Sequence, residues 1–195
     1  MDYLYRFEDG LTIVKDDMPL SDHCMHYSDD WESLLPFKVP GKMRKTKQLL
    51  NYNESVNILH KISYGVLSFF DEVPYSVPLD HVYMNGKLYF HTSKIGYKIN
   101  GVGKQVSYTV VEDCGINEEK RTHNHRSVYV LGILEEVENK EIKKEVLNTL
   151  VYTLCPTQKV DITDQMIDNV NILELDIQYM IGKEHIRLKR LGLLV

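Results

Sequence analysis

From Leu173 to Ile181 the chain alternates without a break, with Leu173, Leu175, Ile177, Tyr179 and Ile181 separated by Glu174, Asp176, Gln178 and Met180. Successive side chains of an extended strand point to opposite faces, whereas a helix would spread the same pattern around its axis. The run therefore predicts an antiparallel strand with one face on a core and the other facing water.

Other runs ask for the same architecture. Asn85-Gly86 separates Asp80-His81-Val82-Tyr83-Met84 from Lys87-Leu88-Tyr89-Phe90-His91. That placement suits a two-residue type I′ hairpin, whose turn residues both need positive φ. Strands are also expected over 64–70, ended by Asp71-Glu72-Val73-Pro74, over 75–84, around Val106, Tyr108 and Val110, and over 127–134. Helical spacing is found at Val56, Leu59 and Ile62 or Ser63, with Asn51 or Asn53 as candidate N-cap, and at Ile142, Val146, Leu147 and Leu150 within 139–153. Residues 92–103 read as a loop entering a short helix. Six short strands in hairpin order with helices at the ends imply an α+β, mainly β fold, a small antiparallel barrel with flanking helices. A Rossmann sheet is disfavoured, because no G-x-G-x-x-G follows a first strand and Gly101-Val102-Gly103-Lys104 lacks the P-loop spacing.

Charge is distributed unevenly over the 195 residues. Residues 1–42 hold 9 acids against 4 bases, and the remainder holds 19 of each. This acidic segment, with Pro19, Pro36, Pro40 and Gly41 and no sustained period, reads as an N-terminal extension, with Trp31, Leu34, Leu35 and Phe37 as candidates for packing it on the main domain of residues 43–195. A net charge of −5 gives no basic field for nucleic acid or an anionic membrane, so neither is an expected partner. Cys24, Cys114 and Cys155 are odd in number and widely spaced, which disfavours a disulfide framework or zinc ribbon and suits a reducing cytoplasm. With no signal-peptide pattern at the N-terminus and no membrane-length apolar run, a soluble cytoplasmic protein is expected.

Several segments carry polar chemistry. Tyr89-Phe90-His91-Thr92-Ser93-Lys94-Ile95-Gly96-Tyr97-Lys98 ends a strand and supplies hydroxyls and ammonium groups around a glycine, a set that suits a phosphate; a solvated polar loop is the alternative reading. His23-Cys24-Met25-His26 has H-x-x-H spacing without a second ligand pair and reads as a polar surface loop, so no metal is expected. His123 and His125 read as exposed residues, and His60 and His81 as helix-face and strand-face residues. Cys114 precedes Gly115 in what reads as a turn, with no base to activate the thiol. Glu135 and Glu136 are neighbours that would point to opposite faces. Arg187-Leu188-Lys189-Arg190 reads as a solvated tail.

Pro74-Tyr75-Ser76-Val77-Pro78, the Asn85-Gly86 hairpin, Leu88-Tyr89-Phe90-His91, Gly96-Tyr97-Lys98 and Ser127-Val128-Tyr129-Val130-Leu131-Gly132 resemble, in this order and spacing, the pyridoxamine 5′-phosphate oxidase-related FMN-binding proteins, and within them the nitroimidazole-resistance branch. The resemblance runs from Met43-Arg44 to Ile181-Gly182-Lys183, about three quarters of the chain. It implies a six-stranded antiparallel Greek-key split β-barrel that forms a homodimer with FMN at the subunit interface. Position by position, it places His91, Thr92, Ser93 and Lys98, with Lys94 beside them, at the ribityl phosphate and flavin edge. The backbone of Val77, Pro78 and Leu79 would face the isoalloxazine. Arg126 stands where that branch carries an aromatic, and is read either as a second-subunit contact to phosphate or substrate or as a surface charge at a strand end.

The function implied is that of an FMN-dependent oxidoreductase. NAD(P)H would reduce the flavin, which would pass electrons to a small acceptor such as a nitro-aromatic or quinone-like compound, with His91 as hydrogen-bond or proton donor. The rival is a non-catalytic split-barrel module holding flavin or haem for sensing or storage. Pyridoxamine phosphate oxidation itself is disfavoured, since residues for that substrate's phosphate are not evident.

Overall fold

The structure is a computed structural model that describes residues 48–186, together with the backbone of residues 3–7, 10–14 and 25–26. Those three N-terminal segments are strands: β1 (Tyr3–Phe7), β2 (Gly10–Val14) and β3 (Met25–His26). β1 and β2 form a hairpin, and Thr12 of β2 pairs in parallel with Met180. The other N-terminal residues singled out in the sequence, Trp31, Leu34, Leu35 and Phe37 among them, lie outside the described residues, as does the 187–190 tail.

The main domain starts with β4 (Leu49–Leu50) and α1 (Tyr52–Lys61). Asn51 is the N-cap: its side chain accepts from the Glu54 amide at 2.9 Å and its own amide donates to Glu54 Oε2 at 2.8 Å. This reciprocal box satisfies two of the free donors at a helix start. There follow β5 (Tyr64–Phe70), β6 (Pro74–Asp80), β7 (Val82–Met84), β8 (Lys87–Thr92), a 3-10 turn at Tyr97–Gly101, β9 (Gln105–Asn117) and β10 (Thr122–Glu136). Two helices, α2 (Lys140–Leu154) and α3 (Asp164–Asn169), precede β11 (Asn171–His185). Asn85 and Gly86 both have positive φ, 53° and 76°, as the predicted hairpin turn requires.

The fold is the expected antiparallel split barrel with flanking helices. The hydrogen-bonded ribbon β6-β5-β9-β10-β11-β8-β7 curls around a core that includes Leu67, Phe90, Tyr108, Val130, Leu134 and Leu175. β6 and β7 are joined through His81 without pairing, and that is where the barrel is split. From β4 onward there are eight strands rather than six. The predicted strand over 75–84 is broken at His81, whose amide turns away to donate to Ser63 O at 2.7 Å, and the short β4 adds to β11.

The alternation in β11 holds in part. Leu173, Leu175 and Ile177 face the barrel core, but the register with β10 slips between Leu131↔Tyr179 and Gly132↔Ile177, so that β11 carries one extra residue, Gln178. A bulge of this kind reverses the faces beyond it. Met180 then takes the core position, and Tyr179 and Ile181 lie on the other face, where they are buried as well. Cys114 and Gly115 likewise sit inside β9 rather than in a turn. The register skips between His123↔Ile116 and His125↔Asp113, and Gly115 adopts φ 83°, marks of a bulge.

A second apolar cluster lies outside the barrel, where Val146, Leu147 and Leu150 of α2 and Ile167 of α3 cover Val82, Tyr89 and Ile172. Asn139 caps α2 and Thr163 caps α3, each through a side-chain oxygen that accepts a first-turn amide. No helix among the described residues is long and apolar enough to cross a membrane.

Candidate functional site

β8 delivers the candidate loop. Leu88 and Phe90 point into the core, and His91 points outward and is exposed. Thr92 is buried and its hydroxyl donates to Ser93 O at 3.3 Å. Ser93 Oγ donates to Ile95 O at 2.7 Å and accepts from Lys98 Nζ at 3.4 Å, which folds the loop so that the Lys98 ammonium comes back over Ser93. Gly96 has φ 127°, a conformation side chains rarely adopt, and a Cβ there would stand 3.6 Å from Lys98 Nζ. Lys94 is exposed on the α3 side, where its charge adds to the field that holds the Asp168 carboxyl below its usual range, chiefly through the hydrogen bond from Lys140.

The 3-10 turn behind this loop is anchored to the β5–β6 hairpin. Tyr97 stacks on Phe69 with ring centroids 6.4 Å apart and packs on Tyr75 at 5.0 Å. Asp71, at the hairpin tip, accepts from Asn100 Nδ2 at 3.0 Å and from Lys104 Nζ at 2.5 Å. Those two donors, Lys104 first, lower the Asp71 pKa. The loop and β6 are thus held as one unit.

In β6, Val77 and Leu79 turn inward onto the core and Pro78 turns outward with Ser76 and Asp80. A molecule on the outer side of this strand meets Pro78 and the main chain. Asp80 and His91 both line a cleft of about 300 Å³ whose floor is apolar, formed by Leu147, Leu150, Val151 and Leu154 of α2 with Ile162 and Met166. Asp80, the residue after the Val77–Leu79 segment, and His91, the first residue of the loop, therefore meet at one cleft, whereas Val77–Leu79 and the loop from Thr92 to Lys98 do not line it. Such a site offers an apolar surface with a carboxylate and an imidazole among its lining, the mix expected of a ligand pocket, and the Ser93–Lys98 loop follows His91 in the chain.

Arg126 is elsewhere. On β10 it pairs with Glu184 of β11, whereas His91 pairs with Ile172, twelve residues away along that strand and ~40 Å at ordinary strand rise. Its Nε is 3.6 Å from Glu184 Oε2 and its Nη1 4.0 Å from Glu112 Oε2, contacts too long for hydrogen bonds; Glu112 is held instead by Lys61. Within one subunit Arg126 does not join the loop.

Among the described residues no group of three or more His, Cys, Asp or Glu is arranged to hold a metal. The strand-face residue His81 is buried and doubly hydrogen-bonded. The cleft floor from α3 was not foreseen, although Thr163 before Asp164 carries an N-cap signal. His123 is exposed beside Asp113 at 3.4 Å, and His125 stacks on His185 across the β10–β11 ladder.

The sequence model of the pyridoxamine 5′-phosphate oxidase family matches residues 52–184, more than half of the chain. A search of curated proteins finds no match. Among solved structures, a flavocytochrome of Azotobacter vinelandii is similar with a TM-score of 0.64 at 20% identity, covering 77% of this chain and 76% of its own. An FAD and heme binding protein of Mycobacterium smegmatis gives 0.62 at 17% identity, covering 71% and 73%. A putative 5-nitroimidazole antibiotic resistance protein of Bacteroides thetaiotaomicron gives 0.59 at 19% identity, covering 70% and 86%. At these identities the likeness is one of fold.

Proposed function

Since this chain belongs to the pyridoxamine 5′-phosphate oxidase family, we propose that it binds a flavin, FMN by preference, at the Asp80–His91 cleft and acts as an NAD(P)H-dependent reductase of a small apolar acceptor, nitro-aromatic or quinone-like. The observation that carries this reading is the meeting of β6 and β8 at one apolar cleft. The flavin-binding and flavin-and-haem-binding proteins of the same fold support it.

The donor set suits such a cofactor. Lys98 Nζ and Ser93 Oγ, already drawn together, present a positive charge and a hydroxyl for a phosphate, with Lys94 next to them. Pro78 and the adjacent main chain, next to Asp80 of the cleft, would offer a flat face for an aromatic ring system, and the leucines of α2 give the cleft an apolar floor. When bound, a flavin supplies two-electron redox chemistry between nicotinamide and acceptor. His91, exposed at the rim, is placed to give a hydrogen bond or proton to an acceptor oxygen or nitrogen in the cleft. Asp80 would repel anionic acceptors, so uncharged ones are favoured.

We assign Arg126 to a second copy. In a homodimer whose flavin lies between subunits, Arg126, which does not reach the loop of its own chain, would complete the phosphate site of the other copy. The experiment is anaerobic mixing of the flavin-loaded protein with NADH and with NADPH. Bleaching of the flavin band within seconds, and its return on adding a nitro-aromatic or quinone, supports the reductase. A flavin that stays oxidised with both nucleotides favours the non-catalytic holder.

A further inference from the structure

Directly behind the outward-facing Pro78 and Asp80 runs a buried polar chain that this reading does not yet use. His81 is 2% exposed and Tyr108 wholly buried. His81 Nε2 lies 2.8 Å from Leu59 O, His81 Nδ1 lies 2.9 Å from the Tyr108 hydroxyl, and that hydroxyl donates to Leu79 O at 2.7 Å.

The protons can be assigned. Leu59 is in the last turn of α1, where carbonyls lack a helical amide partner and need another donor. Nε2–H of His81 fills that need. Burial lowers the His81 pKa against the opposing effects of the hydrogen bond to Leu59 O and, less, of Asp80, with His60 acting in the same direction as burial, so the ring is neutral and its Nδ1 is an acceptor. The one phenolic proton is then shared between two acceptors, Leu79 O at the shorter distance and His81 Nδ1, so the hydroxyl is held by the imidazole while it donates to the β6 carbonyl. Burial raises the Tyr108 pKa far above the ordinary tyrosine range, so this proton stays in place. The sequence makes room for it. Gly65 sits opposite Leu79 in the β5–β6 ladder, and a Cβ there would stand 2.8 Å from Tyr108 Cζ. Glycine lets the phenol pass under the hairpin to reach the carbonyl beyond.

β6 pairs only with β5 among the described strands, so its outer edge has no ladder to fix it. We propose that His81 and Tyr108 are positioning residues that pin the β6 main chain at Leu79 from behind and so set the Val77–Leu79 face against the flavin ring. This rests on the placement of the flavin on that strand.

Tyr108→Phe tests it, because the ring that packs on Phe90 at 4.9 Å remains and only the hydroxyl is lost. In flavin-free protein, amide exchange over 64–80 should speed ~10-fold while α2 and the β10–β11 ladder stay within ~2-fold. In flavin-loaded protein, the visible flavin band should shift and affinity should fall ~5- to 20-fold, since a loosened strand is a less preorganised face. His81→Gln, acting through Tyr108, should give the same pair of changes in smaller degree, and serves if Tyr108→Phe does not fold. Faster exchange with an unaltered band and affinity reduces the pair to a structural role and overturns the proposal, as does unaltered exchange. Wild-type protein that takes up no flavin overturns the flavin reading itself, and this inference with it, before any variant is compared.

Discussion

His91 and Lys98 stand on the same loop but are asked to do different things. His91 projects into the cleft rim, and Lys98 folds back onto Ser93. His91→Ala is expected to lower turnover about 100-fold, the scale of a lost proton donor, with flavin affinity within about 3-fold; equal turnover in the loaded variant would remove the role. Lys98→Ala should instead weaken FMN binding ~10-fold and leave riboflavin binding unchanged, because only the phosphate loses a charged partner. Titration calorimetry with the two ligands reads the difference, and equal losses for both would take Lys98 away from the phosphate. The loop residues were legible from the sequence because a strand end, hydroxyls, lysines and a glycine lie within a dozen positions. His81 was not. A strand pattern assigns a face, but it cannot say that two nitrogens find partners on α1 and β9, which come together only in the tertiary structure.

At the scale of elements, caps and burial make separable predictions. Asn51→Ala removes the side-chain arm of the capping box, leaving the residue 51 amide to donate to Glu54, and should cost about 1 kcal/mol in a denaturant midpoint experiment. His81 links an element to pH. Its folded pKa is depressed by burial, so the stability it contributes is present above its unfolded value of about 6.5 and is lost as pH falls from there toward the folded pKa. Across that window wild type should lose stability faster than His81→Gln, by up to ~1.4 kcal/mol per pH unit. Parallel curves would show that the ring does not titrate as described. The hairpin at Asn85-Gly86 and the two long helices could be read locally, since turn chemistry and a 3.6-residue stripe are contained within each segment. β11 could be read only as far as its bulge. Periodicity identifies the strand, but the extra residue at Gln178 is set by the ladder with β10, and it moves Tyr179 and Ile181 to the face opposite the one their alternation implies.

At the scale of the whole molecule, Asp80 at the end of β6 and His91 on β8 come to one cleft beside the barrel's split, and α2 with α3 closes its apolar side. The sequence pointed to the barrel through the order of its hairpins and to the family through motif spacing. It could not give the cleft, because Asp80, His91 and Met166 are joined by folding alone. Arg126 lies at the other end of the ladder, and its proposed role at a shared site requires a dimer. Light scattering should return a mass twice the 22.8 kDa of one chain, and a monomer that still binds flavin tightly would contradict the shared site. The central claim is tested most directly by the visible absorption spectrum of the purified protein after incubation with excess FMN and removal of what does not bind. Retained flavin bands at about one per chain are predicted, and a protein that stays colourless would contradict the account.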